Sequence, residues 1–216
     1  MDMVYIQNLL PILLKGTLQT IKLFIFTLCL ALPIGLPFAL GSISKFFIIK
    51  LLSKIYIWVF RGTPLMLQLF FIYFGLPMMG IKFDRETAAI LTFILNYSAY
   101  FAEIYRAGIQ SIDNGQHEAA KTLGYTKWQS MRYIIIPQTI KRIIPPVSNE
   151  AITLVKDTAL VNAIGVTELL KTAKDAVNRD VDITAYFLAA LVYLIFTFIL
   201  TLISQQLERK YSIYEK

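Results

Sequence analysis

Long apolar stretches alternate with polar segments along the chain, and their lengths predict helices that cross a membrane. Five stretches are mostly apolar: residues 17–42, 51–77, 86–108, 140–162 and 183–207. A helix of about 20 apolar residues spans the hydrocarbon core of a bilayer, which is about 30 Å thick. The pattern therefore predicts an all-α, polytopic membrane protein with five transmembrane helices.

Three segments depart from this simple alternation. Residues 1–16 have apolar positions at helical spacing beside polar ones, so we expect them to lie along the outer membrane interface. Residues 165–180 are polar and predict a helix outside the membrane. Gly62-Thr63-Pro64 interrupts the second stretch. Because proline lacks an N–H group and clashes with the preceding turn, this tripeptide predicts a kink or a break.

The polar segment of about residues 110–135 has helix signals of its own. Asp113 or Asn114 can cap a short helix, and Gly124 suits the left-handed position that ends it. Thr126 and Gln129 form a capping-box pattern for a second helix. Such a segment is either a solvated connector or a docking surface, since alanines on one face let a helix lie close against a partner. The docking candidates are Glu118, Ala119, Ala120, Leu123 and Gly124.

Composition supports a membrane protein of one domain over residues 1–216. The chain is 56% hydrophobic and 16% charged, and its mean hydropathy is +0.60, which a soluble domain of this size rarely reaches. No linker or internal repeat divides it. Cys29 is the single cysteine and His117 the single histidine. The sequence therefore predicts neither a disulfide framework nor a metal site.

The net charge of +7 is unevenly distributed over the polar segments. Twelve basic residues fall on one side of the predicted helices: Lys45, Lys50, Lys54, Arg106, Lys121, Lys127, Arg132, Lys141, Arg142, Arg209, Lys210 and Lys216. Six fall on the other: Lys15, Lys82, Arg85, Lys171, Lys174 and Arg179. Basic loops stay in the cytoplasm, so we expect the N-terminus outside and the C-terminus in the cytoplasm. The charge reflects topology and does not indicate nucleic-acid binding.

Several motifs resemble those of a known family. Glu118-Ala119-Ala120 with Gly124, Ile134 and Pro137 resembles the EAA motif of permease subunits of bacterial ATP-binding-cassette importers. Four further segments are similar to the polar amino-acid permeases within that family: residues 61–70, 99–109, 115–118 and 156–160. The resemblance covers roughly residues 15–210.

The resemblance implies an assembly in the bacterial inner membrane. It would contain a five-helix permease paired with an identical or closely related one, two P-loop ATPase subunits and an extracellular solute-binding protein. ATP and magnesium would be bound by the ATPase. The chain has no Gly-x-x-x-x-Gly-Lys-Ser/Thr pattern, so we expect a transport subunit that is not an enzyme and holds no cofactor.

Charged residues inside the predicted helices indicate a candidate substrate site. Each costs about 2.5–3.5 kcal/mol at bilayer depth, so such residues face a water-filled cavity or pair with one another. Helical spacing gives the third and the fourth predicted helix one polar stripe each. We expect these stripes to line one cavity, and a structural ion pair is the alternative. The candidates are Asn96, Tyr97, Tyr100, Glu103, Glu150, Thr153, Lys156 and Asp157.

An amino acid suits such a cavity. Lys156 or Asn96 could hold its carboxylate, and Asp157 or Glu150 could hold its ammonium group. Acids outnumber bases among the candidates, which favours a cationic side chain such as arginine, lysine or histidine. Two other functions stay open: a secondary transporter or channel without an ATPase, and a membrane scaffold without a cavity. A secondary transporter would usually have inverted repeats, and a channel gives no reason for a docking helix.

Overall fold

The computed structural model describes residues 3–212, which are helical along most of their length. Residues 1–2 of the expected interfacial segment and Lys216 of the charge pattern lie outside the described residues. The helices are α1 (Met3–Ser42), α2 (Phe47–Gly62), α3 (Leu65–Phe70), α4 (Arg85–Gln110), α5 (Asn114–Thr122), α6 (Lys127–Ser130), α7 (Ile136–Asp157), α8 (Leu169–Asp180) and α9 (Thr184–Ser212). The expected all-α class is confirmed, since no strand occurs between residues 3 and 212.

Short helical turns of other types continue these helices. Phe71–Gly75 is a π-helical turn and Leu76–Met79 a 3-10 turn after α3. A second π-helical turn, Met131–Ile135, joins α6 to α7, and the 3-10 turn Thr158–Ile164 follows α7. Residues 127–164 therefore form one uninterrupted helical segment.

Length and apolar composition support fewer crossings than expected. Within residues 3–212, three helices are long and apolar enough to cross a membrane: α1, α4 and α9. The bent pair Phe47–Gly62 and Leu65–Met79 is a fourth candidate if it counts as one crossing. The expected fourth stretch, 140–162, is helical but contains charged residues at five positions. The fifth crossing therefore stays a prediction.

The expected break in the second stretch is confirmed. The two halves, Phe47–Gly62 and Leu65–Met79, meet at 104°, far beyond a kink. Thr63 is extended, as expected of a residue before proline. The Gln68 side chain donates to the exposed carbonyls of Phe60 (2.9 Å) and Thr63 (3.0 Å). This amide satisfies backbone acceptors that the break leaves without helical partners.

The centre of the bundle is α4. Phe93, Tyr97 and Phe101 recur every fourth residue on its buried face, and α4 packs along α1 and against α7. Leu154 and Val155 of α7 complete this core and are fully buried. The α4 residues around Tyr97 consequently lie deep in the bundle, beside the break.

Residues 3–16 form the first turns of α1, with no break before the expected span. Leu9 and Leu13 are buried against Leu169 and Ala173 of α8, so the apolar face of this segment packs on protein. The 40 residues of α1 extend about 60 Å at 1.5 Å per residue, twice the hydrocarbon thickness. The helix bundle therefore extends beyond the hydrocarbon core of a bilayer.

The expected helix within residues 165–180 is α8, and a buried carboxylate caps it. Glu168 accepts hydrogen bonds from the backbone amides of Leu170 and Lys171, both at 2.7 Å. It also accepts one from the Tyr193 hydroxyl at 2.8 Å, which ties α8 to α9. Burial raises the pKa of Glu168, and the two amide donors oppose this shift.

Candidate functional site

A cavity of about 410 Å³ opens at the α2–α3 break, between α4 and α7. Its size falls within the range of small-molecule sites. Its lining residues are Arg61, Gly62, Thr63, Pro64, Leu65, Asn96, Tyr97, Tyr100, Glu150, Thr153 and Asp157.

Asn96 ties the wall of this cavity to the helix break. Its side-chain nitrogen donates to the Phe60 carbonyl and to Gln68 Oε1, both at 3.0 Å. Gln68 in turn donates to the Thr63 hydroxyl at 2.8 Å. Asn96 is almost fully buried, so this network fixes α4 against the broken helix and positions the backbone of the cavity rim.

Two carboxylates of α7 face the cavity. Asp157 Oδ2 accepts a hydrogen bond from the hydroxyl of buried Tyr97 at 2.7 Å. The Glu150 carboxylate has no hydrogen bond or ion pair with any residue between 3 and 212. Carboxylates accept several hydrogen bonds each, so both groups keep acceptor positions for a ligand. Thr153 lies between them, and its hydroxyl donates to the Asn149 carbonyl at 3.1 Å.

Arg61 closes the cavity on one side. Its guanidinium lies 5.4 Å from the centre of the Tyr100 ring and 3.4 Å from Glu103 Oε1. Glu103 also pairs with Arg106 at 2.6 Å. A cation over an aromatic face is attracted by the ring quadrupole, so Arg61 is held at the rim by two independent contacts.

The polar segment after α4 folds as its capping signals predict. Asp113 caps α5 and accepts from the Gly115 amide at 2.6 Å, and Gly124 adopts a left-handed φ of 80°. Thr126 and Gln129 form the expected capping box of α6. Both expected helices of this segment are confirmed.

Four of the five docking candidates in this segment are exposed: Glu118, Ala119, Leu123 and Gly124. The fifth, Ala120, is 1% exposed and lies on the side of α5 that packs against the segment after it. The alanine pair therefore divides between an exposed position and an inward-facing one. Leu123 and Trp128 add exposed apolar area beside α5, which is unusual on a solvated connector.

Residues 31–213 match the family described as "Binding-protein-dependent transport system inner membrane component". The chain belongs to this family. It is thus a permease component of a membrane transport system.

Relatives of this permease confirm the resemblance noted in the sequence. It is 40% identical over 205 residues to the probable amino-acid ABC transporter permease protein YckA of Bacillus subtilis, covering 94% of this chain and 91% of YckA. It is 38% identical over 203 residues to the arginine transport system permease protein ArtQ of the same organism, covering 93% of each chain. It is 36% identical over 207 residues to the glutamine transport system permease protein GlnP of Escherichia coli, covering 94% of each.

Solved structures support the same fold for the permease. One chain of an amino acid ABC transporter crystallised with histidines matches with a TM-score of 0.92 at 37% identity, over 97% of this chain and 99% of that one. An inward-facing MetNI methionine transporter matches at a TM-score of 0.77 and 18% identity, over 98% and 99% of the chains. The second match concerns the fold alone.

The permease cavity collects six of the eight residues expected from the sequence: Asn96, Tyr97, Tyr100, Glu150, Thr153 and Asp157. Glu103 and Lys156 are not among its lining residues. Glu103 shares the expected face of α4, but the cavity ends at Tyr100 and Arg61, and Glu103 pairs beyond that point with Arg106. Lys156 is exposed, because one helical step turns it away from Asp157.

Arg61 was not among the candidate site residues expected from the sequence. It pairs with Glu103, yet it also lines the cavity together with residues 62–65. The available signal was the Gly62-Thr63-Pro64 tripeptide: a broken helix exposes backbone groups, and such breaks are tolerated at membrane depth where they line a cavity.

Proposed function

We propose that this permease forms the translocation pathway of an ATP-driven importer for polar amino acids, with a preference for cationic side chains. The observation that carries the proposal is the carboxylate of Glu150, unpaired among the described residues, beside Asp157 in a cavity of about 410 Å³. A half-buried carboxylate that has no hydrogen bond or ion pair is left without compensation for its lost hydration, and a cationic ligand supplies that compensation. The arginine and glutamine permeases among the relatives support the polar amino-acid class.

The cavity offers complementary groups for both ends of an amino acid. Glu150 and Asp157 can accept from the ammonium group and from a cationic side chain. The guanidinium of Arg61, at the rim, can donate to the substrate carboxylate, because arginine binds carboxylates with two parallel hydrogen bonds. Tyr100 supplies an aromatic wall. Asn96 acts indirectly, since its amide nitrogen already bonds to Phe60 and Gln68.

Energy coupling is proposed to enter through α5. The exposed residues Glu118, Ala119 and Leu123 would contact a P-loop ATPase, which binds ATP and magnesium. The uninterrupted helical segment 127–164 begins beside this surface and contains both cavity carboxylates. A displacement at α5 can therefore reach the cavity along one continuous helical segment, and ATP binding would shift the permease between inward-open and outward-open conformers.

The rest of the proposed assembly follows the family. It contains two ATPase subunits, a second permease that is either identical or closely related, and an extracellular solute-binding protein, in the bacterial inner membrane. The permease would cross the membrane five times, with α7 as the polar fourth crossing facing the pathway. Polar residues inside a membrane face a bundle interior or a cavity.

Uptake measurements test the energy source. In cells expressing the permease with its ATPase and binding protein, we expect arginine uptake to stop when ATP is depleted and to persist when an ionophore collapses the ion gradients. Unlabelled lysine should compete with labelled arginine at lower concentration than glutamine does. Uptake that follows the ion gradient and survives ATP depletion would instead identify a secondary transporter.

Membrane sidedness is a separate prediction. In a Cys29→Ser background, an introduced cysteine at exposed Lys174 of α8 should react with an impermeant maleimide added outside the cell. A cysteine at Leu123 should react only after the membrane is opened. The reason is the excess of basic residues on the side of α5. Labelling in the opposite order would reverse the proposed topology.

A further inference from the structure

A second cavity, of about 550 Å³, lies between α2 and the last turns of α4. It opens at the end of the bundle from which α5 extends. It contains four cations and one carboxylate: Lys50, Lys54, Arg61, Arg106 and Glu103. The single carboxylate is already engaged by both arginines. The cavity thus has a surplus of positive charge that its own residues do not balance.

The surplus is concentrated on one face of α2. Lys50 and Lys54 are one turn apart, and neither ammonium group has a hydrogen bond or an ion pair within residues 3–212. Like charges at this spacing destabilise a helix. Trp58 continues the same face one turn further and is 75% exposed. A cationic stripe that ends in an exposed tryptophan is typical of the boundary between headgroups and acyl chains.

The surroundings of the lysines fit a lipid better than a soluble ligand. Phe46, Phe47 and Ile48 at the start of α2 are each at least 70% exposed, so apolar area for acyl chains adjoins the ammonium groups. Gln110 accepts from Arg106 through its oxygen, which leaves its amide nitrogen as a further donor toward the cavity.

We propose that this cavity binds the phosphodiester headgroup of an anionic phospholipid. Lys50 and Lys54 pair with the phosphate, Gln110 donates to the headgroup, and the acyl chains lie along the exposed start of α2. Basic pockets between membrane helices on the cytoplasmic side bind such headgroups, and each lysine near an anionic surface contributes to this attraction. The two cavities share Arg61, whereas Lys50, Lys54 and Gln110 line the second cavity alone.

Lipid titrations of the purified full-length permease test the proposal. The midpoint of thermal unfolding is followed while phosphatidylglycerol, phosphatidylcholine or inorganic phosphate is added. We expect phosphatidylglycerol alone to raise the midpoint. In Lys50→Gln/Lys54→Gln, the half-saturating lipid concentration should rise about tenfold or more. The charge-preserving Lys50→Arg/Lys54→Arg should restore it, and the matched pair Lys121→Gln/Lys210→Gln should resemble the wild type.

Three outcomes would overturn the proposal. They are an unchanged response of Lys50→Gln/Lys54→Gln, an equal effect of phosphatidylcholine, and an effect of inorganic phosphate alone, which would assign a free anion. If the glutamine variant does not fold, native mass spectrometry of the wild type decides. Phosphatidylglycerol should stay bound in the presence of equal phosphatidylcholine, and equal retention of the two lipids would count against the site.

Discussion

Glu150→Gln should weaken arginine binding about tenfold to a hundredfold. The change keeps the shape of the side chain and removes the charge that lies unpaired, among the described residues, in the central cavity. A hydrogen bond to a charged group contributes about 1.5–3 kcal/mol, which converts to this range of affinity. Binding of glutamine should weaken much less, because its side chain is neutral. Equilibrium binding of the two amino acids to the purified importer measures both effects.

Glu103→Gln is the matched control, because it makes the same change outside the cavity. Glu103 pairs with Arg106 and Arg61, so its loss should lower the unfolding temperature while the preference for arginine over glutamine is retained. An unchanged preference in Glu150→Gln, together with a lost preference in Glu103→Gln, would show that the wrong carboxylate has been assigned to the substrate.

Local signals explain which parts of the fold the sequence predicted. Asp113, Gly124 and the Thr126–Gln129 box act on neighbouring backbone groups, so the ends of α5 and α6 could be derived without tertiary structure. Pro64 predicted a break for the same reason. The size of that break, 104°, depends on how Gln68 and Asn96 bridge α2 and α4, and no local pattern contains this information.

Helical periodicity alone predicted part of the candidate site. Periodicity places Asn96, Tyr100 and Glu103 on one face of α4, but it does not say where a cavity along that face ends. Arg61 sets that limit by stacking on Tyr100 and pairing with Glu103. Its position follows from the bend between α2 and α3, so the exclusion of Glu103 is a tertiary effect. The same bend brings residues 62–65 to the rim.

The second large effect is expected at Gly124. Its φ of 80° is disfavoured for residues with a side chain, whereas a Cβ built there would meet nothing within 4 Å. Gly124→Val therefore strains the backbone without a steric clash, at about 1–2 kcal/mol. The strain acts where α5 ends, so the exposed docking residues should shift. We expect ATPase copurification to fall about fivefold to thirtyfold, and transport with it, while the permease still inserts into the membrane.

Gly80→Val separates a docking defect from a general loss of stability. Gly80 has a φ of 87° and equally open surroundings, but it precedes α4, whereas Gly124 follows it. The 26 residues of α4 place the two ends of this helix about 39 Å apart at 1.5 Å per residue. Both variants should lose similar thermal stability, and only Gly124→Val should lose the ATPase. If both variants retained the ATPase equally, the strain at Gly124 would have no effect on docking, and α5 would be a solvated connector.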